Sequence, residues 1–191
     1  SGRLSRMING GTELSYTYDA AGNITTIVEN GTERVRYRYD ELNQLVREDS
    51  AVQNKSIEYV YDGGGNLLAR KEYAYTTGEL GGVMNTVSYG YSGSWKDLLT
   101  SYNGTAISYD TIGNPLTWRG GLSFTWQNGR QLSTAQKSGL SLSYQYNASG
   151  IRTEKTVNGV TTEYYLDGSS IVAEKTGTDV IWYLYDGMGL A

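Results

Sequence analysis

Tyr16-Thr17-Tyr18-Asp19-Ala20-Ala21-Gly22-Asn23-Ile24 decides the fold, because it recurs. Tyr37-Arg38-Tyr39-Asp40-Glu41-Leu42-Asn43-Gln44-Leu45 and Tyr59-Val60-Tyr61-Asp62-Gly63-Gly64-Gly65-Asn66-Leu67 repeat the pattern. Ile107-Ser108-Tyr109-Asp110-Thr111-Ile112-Gly113-Asn114 keeps its second half, Tyr144-Gln145-Tyr146-Asn147-Ala148-Ser149-Gly150 exchanges Asp for Asn, and Tyr183-Leu184-Tyr185-Asp186-Gly187 closes the series. Weaker copies stand at Tyr89-Gly90-Tyr91-Ser92, Phe124-Thr125-Trp126-Gln127 and Tyr164-Tyr165-Leu166-Asp167. The Asp-equivalent positions 19, 40, 62, 92, 110, 127, 147, 167 and 186 lie 17 to 30 residues apart, mostly near 20. Such a period marks a repeat architecture, in which each unit stacks on its neighbours.

A second turn signal falls between successive copies. Asn30-Gly31, Asn103-Gly104 and Asn158-Gly159 are Asn-Gly pairs, suited to a type I′ turn, which needs positive φ at both central residues. Gly120-Gly121, Ser138-Gly139 and Thr176-Gly177 hold comparable places. Two turns in about 20 residues leave five to seven residues per strand and no room for an ordinary helix. Within strands the period is two. Leu140, Leu142, Tyr144 and Tyr146 alternate with Ser141, Ser143 and Gln145, and Val35, Tyr37 and Tyr39 alternate with Arg34, Arg36 and Arg38. Half-buried antiparallel strands read this way, so the tyrosine side of each is expected to be the better buried. The expectation is an all-β chain: repetitive antiparallel hairpins in one long curved or spiralling sheet over residues 1–191, with about nine repeats. Roughly 18 strands exceed what an open twisted sheet holds flat. Residues 76–100, where the spacing stretches to 30, are expected to carry an insertion.

The motif residues have physical roles in this reading. Two Tyr at i and i+2 share a face and stack on neighbouring strands. The Asp opens the turn and accepts hydrogen bonds from backbone N–H groups two residues on. The Gly three residues later supplies positive φ. The residues assigned to this framework are Tyr16, Tyr18, Asp19 and Gly22; Tyr37, Tyr39 and Asp40; Tyr59, Tyr61, Asp62 and Gly65; Tyr109, Asp110 and Gly113; Tyr144, Tyr146, Asn147 and Gly150; and Tyr183, Tyr185 and Asp186.

Composition narrows the chemistry. The chain has 191 residues with 25 Gly, 18 Tyr, one Phe and one Pro, and no Cys or His. Disulfides, thiolate or imidazole metal sites and His-activated nucleophiles are absent from a chain without those residues. Glu48 and Asp49 are adjacent, so a strand sends them to opposite faces. The reading is therefore of no enzyme and no cofactor. Net charge −4 lends no support to nucleic-acid binding, and no apolar run reaches the roughly 20 residues of a membrane span. Asp next to Gly raises the question of calcium. The period is wrong for calcium-loop repeats and several copies lack the acid, so turn capping is the better reading. Trp95, Trp118, Trp126 and Trp182 are candidates for carbohydrate contact, against packing in the sheet. The Arg34-Arg36-Arg38 stripe reads as a solvated or ion-paired strand face. Asp179-Val180-Ile181-Trp182-Tyr183-Leu184-Tyr185 is apolar on both faces, which with open sheet edges predicts self-association through those edges. Ser1-Gly2 reads as a tag remnant.

The repeats resemble the YD repeats of the Rhs family, shared with shell-forming components of insecticidal toxin complexes and with teneurins. Residues 16–24, 37–45 and 59–67 carry the Tyr-x-Tyr-Asp-x-x-Gly-Asn/Arg-Leu pattern best, and Trp95-Lys96-Asp97-Leu98-Leu99-Thr100-Ser101-Tyr102-Asn103-Gly104 is similar to a segment common in such proteins. The resemblance implies a spiralling β-strip, a fragment of a hollow shell around a C-terminal, toxin-like polypeptide. It implies a bacterial parent protein that is secreted or on the cell surface, with the rest of that parent and its cargo as partners. The Asp-Pro-x-Gly cleavage motif of the family is missing, so self-cleavage is not carried over. The competing reading is a cell-surface module that binds carbohydrate through exposed Tyr and Trp.

Overall fold

A computed structural model describes residues 2–186 and 189–190; Gly187, Met188 and Ala191, and the side chain of Asp186 with its expected capping role, lie outside the described residues. More than half of the chain is strand, and a single 3-10 turn, Arg119–Gly121, is the one helical element among the described residues. The expectation of an all-β chain of antiparallel hairpins holds.

Where the sequence reading has one strip over 1–191, the contacts fall into two compact units, Ser1–Gly104 and Thr105–Ala191. The first contains β1 (Arg6–Asn9), β2 (Thr12–Tyr18), β3 (Ile24–Glu29), β4 (Thr32–Tyr39), β5 (Leu45–Ser50), β6 (Lys55–Tyr61), β7 (Leu67–Ala74), β8 (Asn85–Tyr91) and β9 (Leu99–Tyr102). Each strand pairs antiparallel with the next in chain order. The second contains β10 (Thr105–Ala106), β11 (Thr117–Trp118), β12 (Leu122–Gln127), β13 (Gln131–Lys137), β14 (Leu140–Tyr146), β15 (Arg152–Val157), β16 (Val160–Asp167), β17 (Ser170–Thr176), β18 (Asp179–Trp182), β19 (Tyr185–Asp186) and β20 (Gly189–Leu190). There β11 to β18 form one antiparallel meander, and β19 pairs with β20. Near the start of this unit the ladder shrinks to one bridge, Tyr109 to Pro115. Pro115 has no N–H to offer, so a full strand cannot continue through it.

The eight turns expected at 19–22, 30–31, 40–43, 62–65, 103–104, 110–113, 147–150 and 158–159 all interrupt strand structure. Asn30-Gly31, Asn103-Gly104 and Asn158-Gly159 each have positive φ at both residues, between 47° and 87°, the backbone of a type I′ turn. A register shift recurs beside the second Tyr of nearly every copy. It falls at Thr17/Tyr18, Arg38/Tyr39, Val60/Tyr61, Gly90/Tyr91, Thr125/Trp126, Gln145/Tyr146 and Tyr165/Leu166. Each is a bulge that adds local twist and re-aims the neighbouring side chain.

Burial divides less sharply than alternation suggests. Val35, Tyr37, Tyr39, Leu142, Tyr144 and Tyr146 are half-buried and Arg38 and Gln145 are exposed, but Arg36 and Ser143 are half-buried too. In the first unit part of the arginine face is covered by residues 75–84, the insertion after β7. Thr76 and Thr77 lie over the arginine face of the first unit: Arg38 donates to Thr77 O at 2.8 Å, and Arg47 and Ser56 to Thr76 O at 2.8 and 2.9 Å. Beneath them Asp49 and Ser56 are fully buried.

Candidate functional site

Most repeats present one or both of two hydrogen-bonded devices, and together they form the feature that sets this chain apart from an ordinary meander. The first is the turn. In the copies at 40, 62, 110 and 147 one side-chain oxygen of the Asp or Asn accepts the N–H groups of residues i+2 and i+4 at 2.8–3.0 Å. At Asp19 the donors are Gly22 and Asn23, at 2.7 and 2.9 Å. The backbone closes the same loop, with the N–H of residue i donating to the carbonyl of i+4 and that of i+3 to the carbonyl of i. Residue i+3 therefore sits in the left-handed region: Gly22, Gly65, Gly113 and Gly150 at φ 78–101°, and Asn43 at 62°.

The Asn at i+4 extends the turn. Its Nδ2 donates to the second oxygen of its own Asp, at 3.0 Å for Asn23–Asp19, 2.9 Å for Asn66–Asp62 and 2.8 Å for Asn114–Asp110. The same Nδ2 donates outward to the next turn: Asn23 to Asn43 Oδ1 at 2.9 Å, Asn66 to Lys96 O at 3.2 Å, Asn114 to Gly129 O at 2.7 Å. Consecutive turns are thus stitched side by side. These hydrogen bonds, led by that of the Asn side chain, hold the Asp19 and Asp62 carboxyls below the usual range. Asp110 is also held low by bonds from Asn114, which overcome the opposing effect of burial.

The second device is a tyrosine hook. The second Tyr of a copy donates its hydroxyl to a carbonyl five residues after the Asp of the preceding copy. Tyr39 reaches Ile24 O at 3.0 Å, Tyr61 Leu45 O at 2.9 Å, Tyr91 Leu67 O at 3.0 Å and Tyr146 Leu132 O at 3.0 Å. Trp126 does the same with its indole N–H, to Pro115 O at 2.7 Å. Tyr18 reaches Leu4 O at 2.6 Å, and Tyr185 reaches Ile171 O, four residues after Asp167 instead of five, at 2.7 Å. Burial raises the hydroxyl pKa of Tyr39, Tyr61 and Tyr91, aided by the Asp of the preceding turn in each case: Asp19, Asp40 and Asp62. A bulge stands beside each of these hooks except that of Tyr185.

The first tyrosines serve the sheet face instead. Tyr16 stands opposite Ile27, Tyr37 opposite Glu48, Tyr59 opposite Arg70 and Tyr144 opposite Lys155. The Arg152 guanidinium also lies over the Tyr144 ring, 4.7 Å from its centre. Tyr109 is half-buried at its bridge with Pro115, and Tyr183 is half-buried beside Glu174. Within the second unit, Trp182 is not brought to Trp118 and Trp126. Trp95 is exposed in the 92–98 turn; Trp118 and Trp126 are half-buried on β11 and β12; Trp182 is exposed on β18, at the other end of that strand order. The arginine stripe is ion-paired: Arg34 with Glu29 and Arg36 with Glu33, both at 2.8 Å.

Sequence reasoning gave no role to the Asn at i+4 or to the apolar residue at i+5 whose carbonyl takes the hook. Both recur in the motif as written, so the signal was the repetition itself. It also passed over Arg47 and weighed Asp49 only as the neighbour of Glu48; their side chains meet at 2.7 Å under Thr76, and nothing periodic marks the pair.

No family model matches this chain. In structure it aligns with the crystal structure of TcdB2-TccC3 without its hypervariable C-terminal region, at TM-score 0.57 over 94% of this chain and 10% of the other, with 16% identity. The complete TcdB2-TccC3 aligns at 0.56 over 86% of this chain and 11% of the other, with 15% identity. The Photorhabdus luminescens Tc holotoxin pore aligns at 0.52 over 86% and 10%, with 16% identity. The fold is that of a stretch, about a tenth, of TcdB2-TccC3.

In sequence, the tRNA nuclease WapA of Bacillus subtilis strain 168 is 40% identical over 136 residues. The tRNA3(Ser)-specific nuclease WapA of Bacillus spizizenii is equally similar over the same length. Each match takes in 70% of this chain, and the chain spans 5% of those relatives. This overturns the expectation of no enzyme: the relatives are named for an enzymatic activity. The composition argument misled because a missing His limits only chemistry assembled within these 191 residues. The charge argument against nucleic acid has the same bound.

Proposed function

We propose that this chain is a stretch of wall in the YD-repeat shell of a WapA-like bacterial toxin. The parent protein, in this reading, is exported, encloses or carries a toxin polypeptide, and cleaves RNA through it. The observation that carries the reading is the pair of devices linking repeats within each unit. Asn bridges join turn to turn and Tyr hooks join strand to strand. A hairpin array held only by ladder hydrogen bonds slips easily, because one residue of slip exchanges the two faces. Hooks and bridges fix the register at most copies, as a load-carrying wall requires. The 40% identity to WapA and the fold shared with TcdB2-TccC3 support both halves of the proposal.

The test uses the parent protein. Deleting two whole repeats, residues 24–66, should leave a protein whose terminal polypeptide is cut by added protease far faster than in the intact parent. tRNA cleavage after release of that polypeptide should be unaffected. Equal protease sensitivity with and without the deletion would overturn the wall reading.

A further inference from the structure

Three hairpin turns in this chain share one dipeptide and one backbone. Asn30-Gly31, Asn103-Gly104 and Asn158-Gly159 have both residues in the left-handed region, Asn at φ 47–49° and Gly at 77–87°. All three Asn are exposed, so water reaches each alike. Each donates its backbone N–H to a carbonyl on another strand: Asn30 to Glu13 at 2.9 Å, Asn103 to Ser88 at 2.7 Å and Asn158 to Ser141 at 2.8 Å. The side chains differ. Asn30 Oδ1 accepts the Glu13 N–H at 2.9 Å. Asn158 Oδ1 accepts the Ser141 N–H at 2.7 Å, and its Nδ2 donates to Gly139 O at 3.3 Å. These two amides are therefore tied to the same residue that takes their backbone N–H. The Asn103 amide has no hydrogen bond among the described residues.

We infer that Asn103 is a site of spontaneous deamidation, and that Asn30 and Asn158 are protected from it by their side-chain bonds. The reaction needs only water and base. The Gly104 nitrogen gives up its proton to base and attacks Asn103 Cγ. The new C–N bond forms as the Cγ–Nδ2 bond breaks, and Nδ2 takes up a proton and leaves as ammonia. One water opens the resulting succinimide at either carbonyl, which gives aspartate or isoaspartate. Nothing is oxidised or reduced. Steric access does not separate the three turns: a glycine follows each Asn, and at Gly31, Gly104 and Gly159 the side-chain position faces open space. The difference lies at Cγ, which must swing over the following nitrogen to reach a near-attack position. A free amide samples that position by rotating about its side-chain bonds. At Asn30 and Asn158 the same rotation first breaks the bond to Glu13 or Ser141. Asn9-Gly10 and Asn128-Gly129 fall outside the comparison. Asn9 is extended in β1, and Asn128 opens a longer turn with its Nδ2 on Gln131 Oε1 at 3.0 Å. The consequence has a set place, since Asn103 and Gly104 are the last two residues of the first unit. Isoaspartate routes the main chain through its side-chain methylene and so lengthens a turn whose geometry depends on two residues. Either product adds a negative charge. The site stands independently of the wall reading.

The experiment holds the folded 191-residue chain at mildly alkaline pH and body temperature for several weeks. Peptide mapping by mass spectrometry follows each Asn-Gly pair, and protein isoaspartyl methyltransferase counts the isoaspartate. A parallel sample is kept in concentrated urea. One neutral hydrogen bond shifts an equilibrium by about fivefold, so in the folded chain Asn103 should lose its amide about fivefold faster, or more, than Asn30 or Asn158. In urea, where those bonds are gone, the three should react at closely similar rates. The rate at Asn103 should rise with pH, because the attacking nitrogen must first lose its proton. Equal rates at the three turns of the folded chain, or faster loss at Asn30 or Asn158, would overturn the assignment. So would a folded chain that keeps the Asn103 amide while urea releases it, or a ranking that persists unchanged in urea.

Discussion

Replacing Tyr61 by Phe removes one hydroxyl and nothing else, and the hook predicts what it costs. The lost bond is a 2.9 Å donation to the Leu45 carbonyl from a half-buried ring. A neutral hydrogen bond of this kind contributes about 1 kcal/mol net. In a chain of this size that is a fall of about 2–4 °C in Tm. Tyr37→Phe is the internal control: the ring is similarly placed, but its hydroxyl has no hydrogen bond among the described residues, so the midpoint should hardly move. Tyr39 and Tyr91 carry equivalent hooks two and more strands away, about 10 Å or farther. Losses at that separation add, so the triple Phe variant should lose about 3 kcal/mol. Urea unfolding followed by fluorescence is the assay, read as a shift in midpoint at constant slope. If the two compact units unfold in separate steps, only the step belonging to the first unit should move. Tyr61→Phe behaving like Tyr37→Phe, or a triple variant no worse than the single, would refute the hook as a source of stability.

Other expectations follow from the same geometry. Arg47→Met should destabilise by about 3–5 kcal/mol, because it leaves the Asp49 carboxylate buried without its closest cation; the Arg47 and Asp49 side chains are 10% and 0% exposed, and a loss under about 1 kcal/mol in urea unfolding would contradict this. Asp19 and Asp62 are held below the ordinary value of 3.8, so their contribution is complete above that pH and disappears as pH falls through the folded values. NMR should show both carboxyls titrating below 3.8, with exchange protection at Gly64 and Asn66 falling there, while the Asn147 turn, which has no carboxyl to protonate, keeps Ser149 and Ile151 protected. Asp62→Asn should lower the unfolding midpoint, because an amide turned to Asn66 presents donor to donor. Adding Asn66→Leu should recover part of that loss, and a strictly additive pair would count against the contact.

Much of the fold was legible because the motif is local and repeated. Asn-Gly at 30–31 can hardly be anything but a tight turn when alternating residues flank it, and nine copies average out the drift of any one. The capping Asp was legible for the same reason: its bonds reach no farther than i+4. What joins one copy to the next was not. A hook spans about 15 residues, as from Tyr39 to Ile24, and usually accompanies a bulge that no propensity scale marks. The break near Pro115 was visible as a residue but not as a boundary, since a single proline also fits an edge strand. The cover that residues 75–84 give the arginine face was hidden too. Spacing shows that an insertion exists, whereas its hydrogen bonds to Arg38, Arg47 and Ser56 depend on where the loop folds back.

The imperfect copies explain the perfect ones. Where Asn147 replaces Asp, residue i+4 is Ile151 instead of Asn, so no second amide has to share an oxygen with the first. Where Asp stands with Asn at i+4, as at 19, 62 and 110, both carboxylate oxygens are in use, one for the backbone and one for the bridge. The acid is therefore needed for its second acceptor, and it can be lost wherever the bridge is lost with it. The hook follows the same logic: at 126 an indole N–H stands in for the hydroxyl, because only a donor at the end of a flat ring is required. Leu166 has neither donor nor substitute, so that copy is held by its ladder alone. Single-residue identity is thus a poor measure of these repeats; the pairs Asp with i+4 and Tyr with the preceding i+5 are what the fold preserves.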